Sequence, residues 1–170
     1  MRIIKVCHQS NMKHLFIKEL LRHMGLHENI WFLTGDLGYG TVEPIRDQFP
    51  KRFINCGSSE QAMLDIAVGL ALEKQIPFVY SITPFLLYRP FESIRNYLNH
   101  EGIAVKLIGV GRNVEYGKLG FSHHSYDDRD ILDSLENIFK RWPTKGEIPE
   151  LVDECIHNNV PYYINLSKKI

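Results

Sequence analysis

A glutamate at the predicted start of a helix is the first residue in this sequence that could take part in chemistry. Glu60 follows a weak strand pattern that ends at Asn55, and the pair Cys56-Gly57 lies between them. A carboxyl group in this place could share or hold a proton. Acidic side chains are also common in first turns because they complement the helix dipole. The residues alone leave both roles open for Glu60.

Two adjacent histidines, His123 and His124, lie in a predicted loop that runs from Gly120 to Ser125. Histidine changes its charge near neutral pH, so the pair could act as acid–base groups or donate hydrogen bonds to a ligand. No nearby cysteine or third histidine completes a metal-binding set, and we predict no metal site here. Ordinary surface-loop positions are the alternative.

An aromatic cluster with one cation follows a predicted strand. Its members are Phe85, Tyr88, Arg89 and Phe91, and two prolines stand among them. Aromatic side chains of this kind could line a pocket that grips a flat ring. Packing of a helix onto a sheet is the simpler explanation of the same cluster.

Apolar strand patterns alternate with helical patterns along the chain and would position these side chains. Strands are predicted at 30–33, 52–55, 77–82, 105–110, 137–142 and 162–166. Helices are predicted at 12–24, 58–70, 89–98, 128–135 and 148–156. Ser10 or Asn11 would cap the first helix, and residues 58–61 fit a capping box at the start of the second.

This alternation is typical of an α/β fold in which one doubly wound, mostly parallel sheet carries helices on both faces. We predict a single domain over residues 1–170. Ligands of such folds bind beyond the carboxyl ends of the strands. The loops at 34–45, 56–60, 82–90 and 111–127 are therefore the predicted site, and they contain most of the candidate residues.

The composition excludes several classes of function. Lys plus Arg and Asp plus Glu both number 20 of 170 residues, so the excess of basic residues that nucleic-acid binding requires is absent. The apolar runs are too short to cross a membrane, and Met1 to Val6 does not resemble a signal peptide. The three cysteines, Cys7, Cys56 and Cys155, are few and lack metal-ligand spacing, which favours a cytoplasmic protein.

Taken in order, several motifs resemble the central, pyrimidine-binding domain of transketolases. The resemblance extends from about residue 11 to residue 166, and its motifs lie at 33–38, 52–61, 69–72, 76–80, 89–96, 105–111 and 120–125. Transketolases have three domains, and this chain corresponds to the second. Their cofactor is thiamine diphosphate, which lies between the pyrimidine domain of one unit and the diphosphate domain of another.

The resemblance implies roles for five residues near the cofactor. A glutamate at the place of Glu60 hydrogen-bonds a ring nitrogen of the aminopyrimidine and favours its imino tautomer, which removes the thiazolium proton. Phe85, Tyr88 and Arg89 occupy the segment that lines this ring. Asp36 corresponds to an acidic residue close to the cofactor.

The resemblance also concerns the substrate. His123, with His124 beside it, falls where the family has a histidine near the substrate hydroxyls. Many transketolases have an aspartate four residues earlier that recognises a ketose hydroxyl, and Leu119 stands there instead. Asp36 and Asn55 do not form the family's diphosphate motif, because Leu37 replaces a glycine and the spacing is too short.

The resulting hypothesis is a pyrimidine-binding subunit of a split, transketolase-like enzyme that transfers a two-carbon ketol unit between sugar-like substrates. A partner resembling a transketolase N-terminal section would bring Mg²⁺ and the diphosphate ligands, and the assembly would be a homo- or hetero-oligomer. One alternative is a subunit of a two-chain 2-oxo acid decarboxylase. The other is a non-catalytic binding module with the same fold.

Overall fold

Six parallel strands form one sheet at the centre of the fold. The structure is a computed structural model that describes residues 11–169; Cys7 and Ser10 lie outside them. The strands are β1 (Ile30–Thr34), β2 (Phe53–Asn55), β3 (Ile76–Ile82), β4 (Lys106–Val110), β5 (Phe139–Arg141) and β6 (Tyr162–Leu166). Their order across the sheet is β2-β1-β3-β4-β6-β5, and every pair is parallel. The predicted α/β class is confirmed.

Helices cover both faces of this sheet. They are α1 (Met12–Met24), α2 (Glu43–Gln48), α3 (Glu60–Leu72), α4 (Thr83–Tyr88), α5 (Phe91–Ser93, continued as a π-helix over Ile94–His100), α6 (Asp128–Asp133) and α7 (Ile148–His157). One apolar cluster joins α1, α2 and α7 to the sheet, and a second joins α3, α4, the π-helix and α6 to its opposite face. Alternate strand residues enter the two clusters, which is why the central strands β1, β3, β4 and β6 are mostly apolar on both faces.

Two predicted helix starts have different outcomes. Asn11 caps α1 as expected, because its Oδ1 accepts a hydrogen bond from the backbone N–H of His14 at 3.1 Å. The capping box at 58–61 is wrong: α3 begins at Glu60, and Ser59 makes no side-chain capping bond. Gln61 instead donates a hydrogen bond to Ser93 Oγ, at the end of α5, at 2.5 Å. The two residues are far apart in the sequence, so no local pattern reveals this contact.

The helix predicted at 89–98 is also different in the structure. It is preceded by α4, a helix that starts directly at the end of β3 with Pro84 in its first turn. Pro90 separates α4 from α5, because proline has no N–H to continue the helical bonding. The apolar run of α4 lacks the one-sided periodicity that would have identified it.

Close packing of α4 on β4 fixes where its side chains lie. A Cβ at Gly109 of β4 would stand 2.9 Å from Thr83 Oγ1 and 3.4 Å from Thr83 Cα. Thr83 Oγ1 is buried and donates to the carbonyl of Gly111 at 2.9 Å. Since the strands are parallel and in register, α4 and the loop after β4 start at the same edge of the sheet.

Within residues 11–169, no helix is long and apolar enough to cross a membrane.

Replacing Gly109 by alanine tests this packing. We expect the free energy of unfolding to fall by about 1–3 kcal/mol, because the added methyl group collides with Thr83. Gly69→Ala is the matched control, since a Cβ at this helical position meets nothing within 4 Å. It should raise the free energy of unfolding by about 1 kcal/mol. Urea unfolding measures both changes, and a neutral Gly109→Ala would contradict the close approach of α4.

Candidate functional site

A buried carboxylate lies at the carboxyl edge of the sheet. Glu60, the first residue of α3, is 3% exposed. Its Oε2 accepts a hydrogen bond from Arg89 Nη1 at 2.7 Å. On its other side is Gly35, where a Cβ would come within 3.7 Å of Glu60 Oε1 and 2.9 Å of the Gly57 carbonyl. A side chain on Gly35 would collide with the Gly57 carbonyl, so glycine lets the loops after β1 and β2 pack together beside the carboxylate.

Arg89 connects this carboxylate to an aromatic ring. Phe85 and Arg89 are four residues apart, so they lie on the same side of α4 and its end. The guanidinium carbon is 3.9 Å from the centroid of the Phe85 ring. One planar, nitrogen-bearing group therefore contacts Phe85 and donates to Glu60 at the same time.

His123 completes a cluster with these three residues. Its imidazole meets the Phe85 ring at a centroid distance of 4.9 Å and an interplanar angle of 66°. A hydrogen bond joins its Nδ1 to Ser122 Oγ at 3.0 Å, and the ring of Tyr116 is 5.9 Å away. Burial raises the pKa of Tyr116 to about 12, so its hydroxyl keeps its proton at neutral pH.

His124 and Tyr88 have other partners. His124 Nε2 is hydrogen-bonded to the Gly117 carbonyl at 3.1 Å, within its own loop. The Tyr88 hydroxyl donates to Asp127 Oδ1 at 2.6 Å. Burial and this bond raise the pKa of Tyr88 above its ordinary value. Tyr88 therefore fastens α4 to the loop that carries His123.

Asp36 lies at the rim, next to Gly35. It has a left-handed backbone, with a φ of 47°, and its N–H donates to Asn55 Oδ1 at 2.8 Å. Its carboxylate accepts a hydrogen bond from the Tyr39 hydroxyl at 2.8 Å. Asn55, the last residue of β2, thus holds the loop that follows β1 in place.

The residues predicted as a site fall into two groups. Glu60, Phe85, Arg89 and His123 form a continuous cluster, whereas Asp36, Tyr88 and His124 lie around it. An open cavity of about 420 Å³ adjoins Glu60 and Arg89. Gly35 and Asp127 lie in motifs of the family resemblance, but neither was predicted as a site residue. Together, the buried carboxylate, the aromatic face and the imidazole could bind and protonate a flat heterocycle.

The comparisons with known proteins identify a family. A family model described as "Transketolase, pyrimidine binding domain" matches residues 8–169. A protein of Phocaeicola vulgatus named as a subunit of apulose-4-phosphate transketolase is 34% identical over 155 residues, which are 90% of this chain and 50% of that protein. The protein of the same name from Actinobacillus succinogenes is 32% identical over 129 residues, 75% of this chain and 42% of that protein. The chain thus spans half or less of the length of these relatives.

A solved structure shows the same arrangement of elements. It is described as "Split gene transketolase, inactive beta4 tetramer" and superposes with a TM-score of 0.82 at 26% sequence identity. The superposition covers 93% of this chain and 51% of that one.

Tyr88→Phe tests the tie between α4 and the loop. We expect the free energy of unfolding to fall by about 1–2 kcal/mol, since Asp127 loses a hydrogen bond. Because the pKa of Tyr88 is raised in the folded state, this hydrogen bond contributes its full stability at pH values below the pKa of an unfolded tyrosine. Its contribution decreases as the pH rises above that value. Tyr97→Phe, at an exposed tyrosine, should change stability by about 0.5 kcal/mol or less. Urea unfolding at pH 7 and above pH 10 measures both variants. Equal free energies of unfolding for Tyr88→Phe and the unchanged chain at pH 7 would show that this hydrogen bond does not hold α4 to the loop.

Proposed function

Because the chain belongs to the family of transketolase pyrimidine-binding domains, we propose that it forms the pyrimidine-binding half of a thiamine-diphosphate site in a transketolase-like transferase. The observation that supports this most directly is the buried Glu60, which Arg89 connects to the face of Phe85. The reaction is the transfer of a two-carbon ketol unit. We propose one such domain over residues 1–170.

The residues present fit an aminopyrimidine ring. Such a ring is flat and carries nitrogen atoms at its edge, so it needs an aromatic surface and a carboxyl group that meets one nitrogen. The guanidinium of Arg89 is also flat, and it makes both contacts, 3.9 Å from the Phe85 centroid and 2.7 Å from Glu60 Oε2.

Each residue then has a role toward the bound cofactor. Glu60 holds a proton at the ring nitrogen, and Phe85 stacks on the ring face. When bound, thiamine diphosphate would supply a carbon nucleophile that attacks the substrate carbonyl and a cationic ring that takes up the electron pair of the broken carbon–carbon bond. Asp36 borders the ring, Arg89 lies at the ring edge once it has moved away from Phe85, and Tyr88 supports α4 from behind. His123, with His124 in the same loop, faces the hydroxyls of the substrate.

We further propose that a partner closes over this site. The diphosphate and its Mg²⁺ would be held by a unit resembling a transketolase N-terminal section, in a homo- or hetero-oligomer. The relatives named as a transketolase subunit support this, since the word denotes an enzyme with more than one chain. Large apolar side chains are exposed in the loops of this edge, and they would be covered in the assembly: Tyr39, Val114, Leu119, Phe121 and Tyr126.

The substrate class follows from the relatives and from one position. Relatives named transketolases favour sugar-like ketol donors over 2-oxo acids, and they argue against a non-catalytic module. Leu119 is 56% exposed and offers no hydrogen bond to a hydroxyl group. We therefore propose that the ketol-donor substrate is recognised without a hydrogen bond from position 119. Sparse cysteines support a cytoplasmic location.

Glu60→Gln tests the proposed chemistry. Glutamine keeps the shape of the side chain but cannot hold the proton, so turnover should fall by about 100-fold or more while assembly persists. The enzyme is first isolated by pulling down the tagged chain from its native cells with Mg²⁺ and thiamine diphosphate. Ketol transfer is then assayed in the isolated complex. Glu92→Gln, at an exposed glutamate of α5, is the control and should retain activity.

Full activity of the Glu60→Gln complex would exclude the proposed role of Glu60. Recovery of the chain without a second protein and without bound cofactor would contradict the proposal of a partner-completed site.

Arg89→Met tests a consequence of the ring geometry. The guanidinium occupies the surface of Phe85 that the pyrimidine would use, so the two compete. Removing it should lower the cofactor Kd of the complex by roughly 5- to 30-fold, the value of a partly exposed ion pair and cation–π contact. Arg95→Met, at an exposed arginine nearby, should leave Kd unchanged. Weaker cofactor binding by Arg89→Met would show that Arg89 contacts the cofactor and does not compete with it.

A further inference from the structure

A carboxylate joins the loop that carries His123 to the segment that follows β6. Glu115 Oε1 accepts a hydrogen bond from Ser167 Oγ at 2.6 Å, and its Oε2 accepts one from the backbone N–H of Lys168 at 2.7 Å. The same Oε2 accepts a third bond from the backbone N–H of Arg112 at 3.0 Å. These three bonds form the Glu115 clamp, which fastens residues 167–168 to the start of the loop.

The carboxylate of the Glu115 clamp is ionised at neutral pH. Burial by itself would raise the pKa of Glu115, but the three bonds of the clamp lower it below its ordinary value. Hydrogen bonds to a charged acceptor are shorter and stronger than bonds between neutral groups. The clamp therefore holds across the pH range in which a histidine changes its charge.

Tyr116, the next residue, connects the clamp to His123. Its ring packs directly on Gly111, where a Cβ would overlap it. The ammonium nitrogen of Lys168 lies 4.4 Å from the centroid of this ring, so the clamped segment contacts Tyr116 as well. The centroids of the Tyr116 and His123 rings are 5.9 Å apart. A displacement of the segment or of Glu115 would therefore move a ring that contacts the imidazole.

Other contacts fix the two ends of this loop. The Gly111 carbonyl accepts a hydrogen bond from Ser125 Oγ, and Asp127 accepts one from the Tyr88 hydroxyl. Among residues 113–119, Glu115 is the one whose side chain forms hydrogen bonds to the described part of the chain. The clamp is therefore the polar side-chain contact that holds the part of the loop around Tyr116.

We propose that Glu115 is a positioning residue for His123. The clamp holds the segment after β6 against Tyr116, and the Tyr116 ring keeps the imidazole of His123 in place. This inference rests on the proposed function, in which His123 faces the hydroxyls of the substrate. Glu115 is assigned no contact with cofactor or substrate. Its removal should impair the use of the ketol donor, while cofactor binding, which depends on α3 and α4, persists.

Three variants of the full chain test the clamp. Glu115→Ala removes all three bonds. Glu115→Gln can keep them, because its amide oxygen accepts from the two backbone N–H groups and its amide nitrogen donates to the Ser167 hydroxyl. Ser167→Ala removes one bond from outside the loop and leaves the loop sequence unchanged.

The NMR signals of the His123 imidazole report its position. They are identified by their absence in His123→Gln and recorded at pH 7. We expect Glu115→Ala and Ser167→Ala to shift these signals, since the Tyr116 ring moves relative to the imidazole. Glu115→Gln should leave them close to those of the unchanged chain. Glu136→Gln, at an exposed glutamate outside the loop, is the control and should cause no shift.

Kinetics of the complex with its partner connect this position to activity. Glu115→Ala should lower kcat/KM for the ketol donor by about tenfold or more, because a small misplacement of a group that positions the substrate is costly. The Kd of the cofactor should not change. Glu115→Gln should stay within about threefold of the unchanged complex, since it keeps the hydrogen bonds but not the charge.

Unshifted His123 signals in Glu115→Ala, or equal shifts in Glu115→Ala and Glu115→Gln, would overturn the role of the clamp. Unshifted signals in Ser167→Ala would overturn the part assigned to the segment after β6, and this variant decides the matter even where Glu115→Ala does not fold. Full kcat/KM in Glu115→Ala, with His123→Gln impaired, would overturn the consequence for the substrate. Full kcat/KM in His123→Gln would instead contradict the proposed function of His123, and the NMR comparison would still decide whether the clamp positions it.

Discussion

The buried carboxylate of Glu60 is the constraint on which the arrangement of the site depends. A carboxylate removed from water is costly unless a charge partner and hydrogen bonds compensate. The start of α3 provides part of this compensation through its helix dipole, and Arg89 provides the ion pair. Arg89 reaches Glu60 only because α4 lies close against β4, which the missing side chain of Gly109 permits. The positions of α3, α4 and β4 are therefore linked through one charge.

This ion pair has a consequence for the proposed cofactor site. The free domain satisfies its own carboxylate, and the guanidinium covers the aromatic surface at the same time. Binding of a pyrimidine ring then exchanges one planar donor for another, so the gain is smaller than the new contacts alone suggest. Nearly half of the Arg89 side chain is exposed, which gives it a path away from Phe85. A partner that closes over the site would favour the bound ring by excluding water from Glu60.

The sequence predicts the sheet better than the helices. Strand β6 has the predicted bounds because four of its five residues are apolar or aromatic, and a buried parallel strand needs little else. Helix α4 was missed, since its short apolar run has no one-sided periodicity. The capping box at Ser58 failed because Gln61 bonds to Ser93 and Asp65, and contacts between distant segments outweigh local patterns.

The same distinction applies to the site. The family motifs identify residues that meet at the strand ends, and Glu60, Phe85, Arg89 and His123 do lie together. The partners of Tyr88 and His124 depend on the path of one loop, which no spacing in the sequence encodes.

The path of that loop is set at its base by a single carbonyl. The oxygen of Gly111 accepts hydrogen bonds from Thr83 Oγ1 and from Ser125 Oγ, both at 2.9 Å. Thr83 starts α4 and Ser125 ends the histidine segment, so one acceptor holds the elements that carry Phe85 and His123. Gly111 has a φ of 90°, and a Cβ there would overlap the ring of Tyr116, so only glycine fits. The next residue, Arg112, donates from Nη2 to the carbonyls of Asn165 and Pro143, so the same loop base is also tied to β6.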